Sequence, residues 1–173
     1  SLTTEDNQKK RIALMAIEPD KFGQVCWSNS SLLPTHINNY LNLMTYSKNA
    51  VLISSAIADE MGVATGDTVK IAWASQDPME LVVFAVVDYW PGINPAEGYN
   101  KYFVIADLNY IQSMTMLEPY QVWMRRDDTT STQEIYDSIE ELGIRALWIH
   151  DTKQEIITAK NDPLLQGTNG AMT

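Results

Sequence analysis

The stretch from Val51 to Trp90, VLISSAIADEMGVATGDTVKIAWASQDPMELVVFAVVDYW, limits what this chain can become more than any other. Val51-Leu52-Ile53 is a short β-type run. Ser54 or Ser55 can cap a helix, because a hydroxyl there accepts from the orphan N–H groups of a first turn. Ala56, Ile57, Ala58 and Met61 then supply an apolar helix face, with Asp59 and Glu60 on the wet side. Gly62 is placed to stop that helix, since the residue after a helix often takes a left-handed conformation that costs glycine nothing. Thr65-Gly66-Asp67 is a turn signal. Thr68 to Trp73 alternates as a strand, Ser75-Gln76-Asp77-Pro78 turns the chain, and Glu80 to Val87 is a second, more apolar strand. Strand, short helix, turn and hairpin predict a small β-barrel or sandwich rather than a parallel sheet.

The flanks read as mixed α and β. Residues 1–10 are polar and predict a frayed end or the tail of a helix. Arg11 to Ile17 sets Ile12, Leu14 and Ala16 against Ala13, Met15 and Ile17, so both faces are apolar and a central, doubly covered strand is expected. Glu18-Pro19-Asp20 ends it, and residues 23–35 read as loop. Ile37, Tyr40, Leu41 and Met44 predict a short amphipathic helix over 35–45, with Pro34 in its first turn. Tyr102–Ala106 reads as a strand and Leu108–Met114 as a helix. Beyond 117, Tyr120–Arg125 predicts a strand. Ser131 with Glu134 makes a capping box opening a helix that Gly143 stops. Ile144–Ile149 predicts another strand. This strand–helix–strand unit is expected to pair with the early strand at 11–17, because neither buries enough surface alone. The fold class is therefore α+β over residues 1–173. An α/β lobe is formed by both chain ends (about 8–45 plus 117–160), and a β-rich barrel- or sandwich-like lobe (about 46–116) is inserted in it.

The formal net charge of −10 argues against nucleic acid or anionic lipid as the main partner, since both need clustered Lys and Arg. Lys9-Lys10-Arg11 is the one basic run and reads as a solvated terminus. Cys26 is the single cysteine, so no internal disulfide forms. The longest apolar run, Leu81–Val87, is far short of the ~20 residues that cross a bilayer. The ends look cut, which predicts an excised part of something longer.

The string Val-Leu-Ile-Ser-x-x-Ile-Ala-x-x-Met-Gly-Val-x-x-Gly-Asp-Thr-Val-x-Ile over residues 51–71, with the hairpin ending in Phe84-Ala85-Val86-Val87, resembles the extracytoplasmic domain of FtsX-like (MacB-type) ABC transporter permeases. Glu18, Pro19 and Phe22 fit the acidic–Pro–Phe pattern that follows the family's first strand. Asp88 departs from it, standing where the family has glycine. The resemblance implies a non-catalytic domain in the cell membrane protein, on the extracytoplasmic side, between transmembrane helices. It implies a cytoplasmic ATPase subunit, a second permease, an extracytoplasmic protein or peptide as further partner, and no cofactor. A related Ala-x-x-Gly-Ile-x-x-Gly-Asp-x-Val string occurs in double-psi β-barrels. It implies instead a ligand- or cofactor-binding module of a soluble enzyme, with a pocket beside Gly66-Asp67.

Candidate chemistry is sparse. His36 and His150 lack the close Cys or His spacing of a zinc site. His150-Asp151 at a strand end reads as surface. Nothing local to Cys26 favours a thiolate. Asp127-Asp128 in a polar turn and Glu140-Glu141 on a wet helix face read as solvated rather than as an acid/base pair. No catalytic, cofactor or metal residue is assigned. Tyr89, Trp90, Ile93 and Tyr99, in a loop broken by prolines and glycine, are the candidate partner contacts, because aromatic residues give large contact area at low entropy cost. The competing structural reading has Trp90 closing one end of the barrel.

Overall fold

The structure is a computed structural model that describes residues 1–4, 8–26, 28, 31–72, 77–115, 120–127, 129–144 and 149–151. In chain order the elements are β1 (Leu2–Thr3), β2 (Lys9–Lys10), β3 (Ala13–Ile17), α1 (Pro19–Val25), α2 (Ile37–Tyr46), β4 (Ala50–Ser54), α3 (Ser55–Met61), β5 (Thr68–Ile71), β6 (Met79–Val87), β7 (Phe103–Asp107), α4 (Leu108–Met114) and α5 (Thr132–Glu141). The class is α+β. Two compact units divide the chain, Ser1–Arg125 and Arg126–Thr173.

The first unit is built on one sheet in the order β2-β1-β5-β6-β4-β7-β3. β4 runs parallel to β6 and antiparallel to β7, while β5 and β6 form the expected hairpin. Among the described residues the two edge strands are β2 and β3, joined by only Arg11 and Ile12. Laid flat, the six steps between those edges would cover about 29 Å at ~4.8 Å each, whereas Lys10 to Ala13 reaches about 11 Å at most. The sheet must therefore curl, and residues 9–17 carry the chain from one edge to the other. A bulge on β6 assists. The register passes over Phe84, pairing Val51 with Val83 but Leu52 with Ala85. An extra residue adds local twist, and it also exchanges faces: Leu81 and Val83 join one core, Ala85 and Val87 the other.

One core collects Val51, Ile53, Val69, Ile71, Leu81, Val83, Val104 and Ala106, with Leu2 from β1 and Ile12, Leu14 and Ala16 from the β3 side. Residues from strands all around a curled sheet meet only on its concave side, so this core is the inside of the curl. α3 and α4 close it through Ile57, Met61 and Ile111. The other core lies against the opposite face, where α1 and α2 bring Phe22, Ile37, Tyr40, Leu41 and Met44 onto Leu52, Phe103 and Ile105.

The local predictions at the centre of the chain hold. The Ser54 hydroxyl accepts from the Ile57 N–H at 3.3 Å, and Gly62 ends α3 in the left-handed region at φ 65°. α2 buries the four predicted residues, although its cap is His36, whose Nδ1 accepts from the Asn38 N–H at 3.2 Å, and Pro34 lies ahead of the helix. α4 spans the predicted residues and is capped by Asp107. The Ser131–Glu134 capping box forms on α5, and the donated backbone N–H holds the Glu134 carboxyl below its usual range.

Elsewhere the structure corrects the expectations. β3 is apolar on both faces and pairs in parallel with β7 from Ala13↔Phe103 to Ile17↔Asp107, which makes it an end strand of the sheet among the described residues; its expected pairing with the strand over 144–149 falls largely on residues 145–148, outside the described residues. Residues 1–10 contribute two short strands, β2 at the sheet edge and β1 beside it, with Leu2 fully buried in the inner core. Residues 19–25 form helix α1, started by Pro19 at a position where its missing N–H costs nothing, so the expected loop over 23–35 begins only after Val25, and its described residues 26, 28 and 31–35 are loop. Residues 120–125 form no strand. The strand expected over 144–149 falls largely on residues 145–148, outside the described residues.

Candidate functional site

The loop from β6 to β7 carries all four predicted contact residues, and the structure divides them. Trp90 is 0% exposed and stacks on Phe22 of α1, with centroids 6.0 Å apart and 15° between planes. Its indole Nε1 is buried and has no hydrogen-bond partner among the described residues. Tyr89 and Ile93 are half-buried against the same outer core. Trp90 is therefore a core residue, but it lies in the outer core under α1 rather than closing one end of the curl, and its ring is inaccessible to a partner. Tyr99 is 42% exposed, with the Arg11 guanidinium 4.4 Å over its ring. Trp123, which sequence reasoning passed over, completes the aromatic group: its ring tilts against Phe22 at 5.3 Å. Gly92 makes room for it. A Cβ at Gly92 would stand 2.3 Å from Trp123 Cη2, and φ of +83° independently favours glycine.

A polar cluster sits beside this loop, where the edges of the curled sheet come together. Glu60 of α3 forms an ion pair with Lys10 of β2 and accepts a hydrogen bond from Tyr102 Oη at 2.5 Å. Lys101 Nζ lies 3.5 Å from the same carboxylate. Both ammonium groups also lie over the Tyr102 ring, Lys10 at 4.1 Å and Lys101 at 4.6 Å. The Lys10 hydrogen bond, then the Tyr102 one, lower the Glu60 pKa to about 2. The same contacts raise Lys10, and Tyr102 raises Lys101. A carboxylate held ionised in this way is a poor proton acceptor, so the cluster acts as a clasp rather than as an acid/base group. The sequence separations, 50 residues to Lys10 and 42 to Tyr102, explain why no local pattern announced it.

The remaining candidates are occupied or dispersed. His36 caps α2. Burial pushes the Cys26 thiol up, away from a reactive thiolate. The Asp127 carboxylate accepts from Thr129 N–H and Oγ1 at 3.0 and 3.1 Å, closing its own turn, and Asp128 lies outside the described residues. Glu140, Glu141 and His150 are exposed. Among the described residues no group of three or more His, Cys, Asp or Glu is placed to hold a metal. An open cleft of 220 Å³ lies between α1, α2 and the β7–α4 junction. Its Asp107 is taken up as the α4 cap, and its Glu18 and Lys21 pair with each other at 2.9 Å. The double-psi expectation was a pocket beside Gly66-Asp67. That turn is instead tied to the sheet: Gly66 N–H donates to Val83 O at 2.8 Å, and Asp67 Oδ2 accepts from Ala64 N–H at 2.8 Å. Neither residue lines the cleft.

No family model matches the chain, and no curated protein matches it. Among solved structures it is similar to a crystal structure of "a domain of a putative Permease protein" from Porphyromonas gingivalis, at 14% identity and a TM-score of 0.44. The similarity covers 82% of this chain and 57% of that one, so the chain spans a little over half of that structure's length. Among the described residues, no helix is long and apolar enough to cross a membrane.

Proposed function

We propose that this chain is the extracytoplasmic domain of an FtsX-like ABC transporter permease. In this reading it passes movement driven by cytoplasmic ATP hydrolysis to a substrate or partner outside the membrane. Its work is mechanical and needs no catalytic group. The observation that carries the reading is the way the described residues of 51–87, which bear the family resemblance, fold as one interlocked piece. β4 is buried along its length, Ser54 and Gly62 bound α3, and β6 returns parallel to β4. The Gly66-Asp67 turn is locked to β6 from both sides, since Val83 N–H donates to Asp67 O at 2.9 Å. A domain that transmits force needs such a rigid piece, and the paired, two-faced sheet supplies one. Efflux, lipoprotein release and control of a partner enzyme all suit this mechanics.

The test is topological. With Cys26 replaced by Ser, Tyr46→Cys puts one thiol at a position 88% exposed in the native protein. The reading expects the protein in the membrane fraction, the thiol labelled by an impermeant maleimide in intact cells, and co-purification with an ATP-hydrolysing subunit. Labelling only after lysis, or recovery in the soluble fraction, overturns it.

A further inference from the structure

We propose that the cleft between α1, α2 and the β7–α4 junction binds a small zwitterion, an amino acid with its ammonium group on Asp107 and its carboxylate on Lys48. This inference does not rest on the transporter reading. The cleft, 220 Å³ in volume, opens past the ends of the parallel strands β3 and β7, whose pairing runs out at Ile17 and Asp107. Sheets of parallel strands keep their ligands beyond the carboxyl ends of those strands. At about 30 Å³ per water the space equals roughly seven waters, enough for a small amino acid. Every residue lining it belongs to the Ser1–Arg125 unit and to the described residues.

Asp107 carries the argument. It is 7% exposed and lines the cleft. Capping α4 uses one oxygen, since Oδ1 accepts from the Tyr110 N–H at 2.8 Å. The other, Oδ2, has no hydrogen-bond partner among the described residues, and no cation pairs with the carboxylate there. Among the described residues, the side-chain atoms that are both sealed and unpartnered are Thr4 Oγ1 and Trp90 Nε1, so Oδ2 keeps its contact with the open side. A carboxylate this buried and without a counter-charge is costly, and a cation entering through the cleft offsets that cost. A metal ion fits poorly, because among the described residues no three His, Cys, Asp or Glu stand close enough to hold one. An ammonium group needs fewer acceptors, and Asp20 on the same cleft offers a second carboxylate. Lys48 sets the other end of the ligand. It is exposed, lines the cleft and has no ion-pair partner among the described residues, whereas Lys21, the cleft's other cation, is paired with Glu18. Pro19 and Met44 give the ligand's carbon skeleton an apolar lining.

The experiment is titration of the 173-residue chain with four probes, read by amide chemical shifts and calorimetry. Alanine and γ-aminobutyrate carry both charges at different spacings, while propylamine and propionate carry one charge each. At least one zwitterion should bind and shift the amides of residues 45–48 and 107–109. Each single-charge probe should bind about tenfold more weakly, the loss expected for one hydrogen bond to a charged group. Asp107→Asn should weaken the zwitterion by a similar factor at unchanged melting temperature, because asparagine caps a helix as well as aspartate does. Lys48→Met, at an exposed position, should weaken the zwitterion and leave propylamine unchanged, and it decides the matter if the Asp107 variant fails to fold. The proposal is overturned by an absence of shifts with every probe in the tens of millimolar, by equal binding of zwitterions and single-charge probes, or by unchanged zwitterion affinity in Lys48→Met. The same shifts produced by calcium or magnesium alone also overturn it, and would make the cleft a metal site.

Discussion

Trp90 is the residue on which the two readings of the aromatic loop part most sharply. Its side chain is fully buried, stacked on Phe22 and surrounded by the outer core of Ile17, Leu33, Ile37 and Phe103. Replacing a residue so placed with alanine removes its burial and leaves a cavity that the neighbours refill only in part. Trp90→Ala should cost about 3–5 kcal/mol. For a chain of this length each kcal/mol moves the melting temperature by about 2–4 °C, so a fall of roughly 6–20 °C is expected. Trp90→Phe makes the test sharper. It forfeits about 1 kcal/mol of apolar burial, taking ~40 Å² at ~25 cal/mol per Å². It also removes an indole N–H that is buried without a partner among the described residues, a group whose desolvation costs about 1–3 kcal/mol. The two terms oppose, so Trp90→Phe should lie within about 1–2 kcal/mol of the parent protein. Calorimetry and urea titration at one pH would measure all three proteins. A Trp90→Ala variant as stable as the parent would refute the core assignment. A Trp90→Phe variant as damaged as the alanine one would refute the offset.

Three further outcomes follow from the same geometry. Gly92→Ala should be strongly destabilising, and Trp123→Ala should relieve the clash while leaving about 1–2 kcal/mol of left-handed backbone cost; additive urea midpoints in that double-mutant cycle would mean the ring does not rest on Gly92. Ser54→Ala should cost about 1 kcal/mol by chemical denaturation, because the Ile57 N–H loses its cap, and a change of a few tenths would deny the hydroxyl that role. Glu60→Gln should lower stability at pH 7. Because the folded Glu60 pKa is depressed from 4.5 to about 2, its contribution is present above pH 4.5 and lost as pH falls toward 2. The variant and parent should therefore converge across that window and also in high salt, and a gap that stays constant with pH would remove the ionised clasp from the account.

Legibility in the sequence followed the range of the interactions. Gly62, Ser54, Asp107 and the Ser131–Glu134 box act within a few residues, so their types and spacing announce them. The period-two pattern at Ile12–Ile17 reported correctly that both faces are covered. It could not report the neighbour, because pairing 13–17 with 103–107 is settled by long-range packing that periodicity does not carry. β1 and β2 were hidden for a related reason: two-residue strands have no period, and Leu2 is the single apolar plug among polar neighbours. In the candidate loop, residue type marked the aromatic cluster but not its direction. Trp90 turns inward because α1, absent from the sequence reading, brings Phe22 beneath it.

The clasp and the curl explain each other. Strand pairing alone joins neighbours in the order from β2 to β3 and says nothing about how the two edges are held. The link through Arg11 and Ile12 sets a maximum separation but no fixed geometry. Glu60 supplies the missing constraint from α3, which packs on the inner core through Ile57 and Met61. It binds Lys10 on one edge strand and Tyr102, whose carbonyl accepts from the Ala13 N–H of the other at 2.8 Å. Tyr102 is thus tied to both the clasp and the start of β3. Loss of the carboxylate charge should loosen the first residues of the sheet before its β4–β6–β7 centre, since those strands are paired on both sides. Amide exchange at Lys9–Ala13, accelerated in Glu60→Gln while Leu52 and Ile105 keep their protection, would be the signature. Uniform acceleration across all strands would mean that the clasp supports the whole unit rather than its seam.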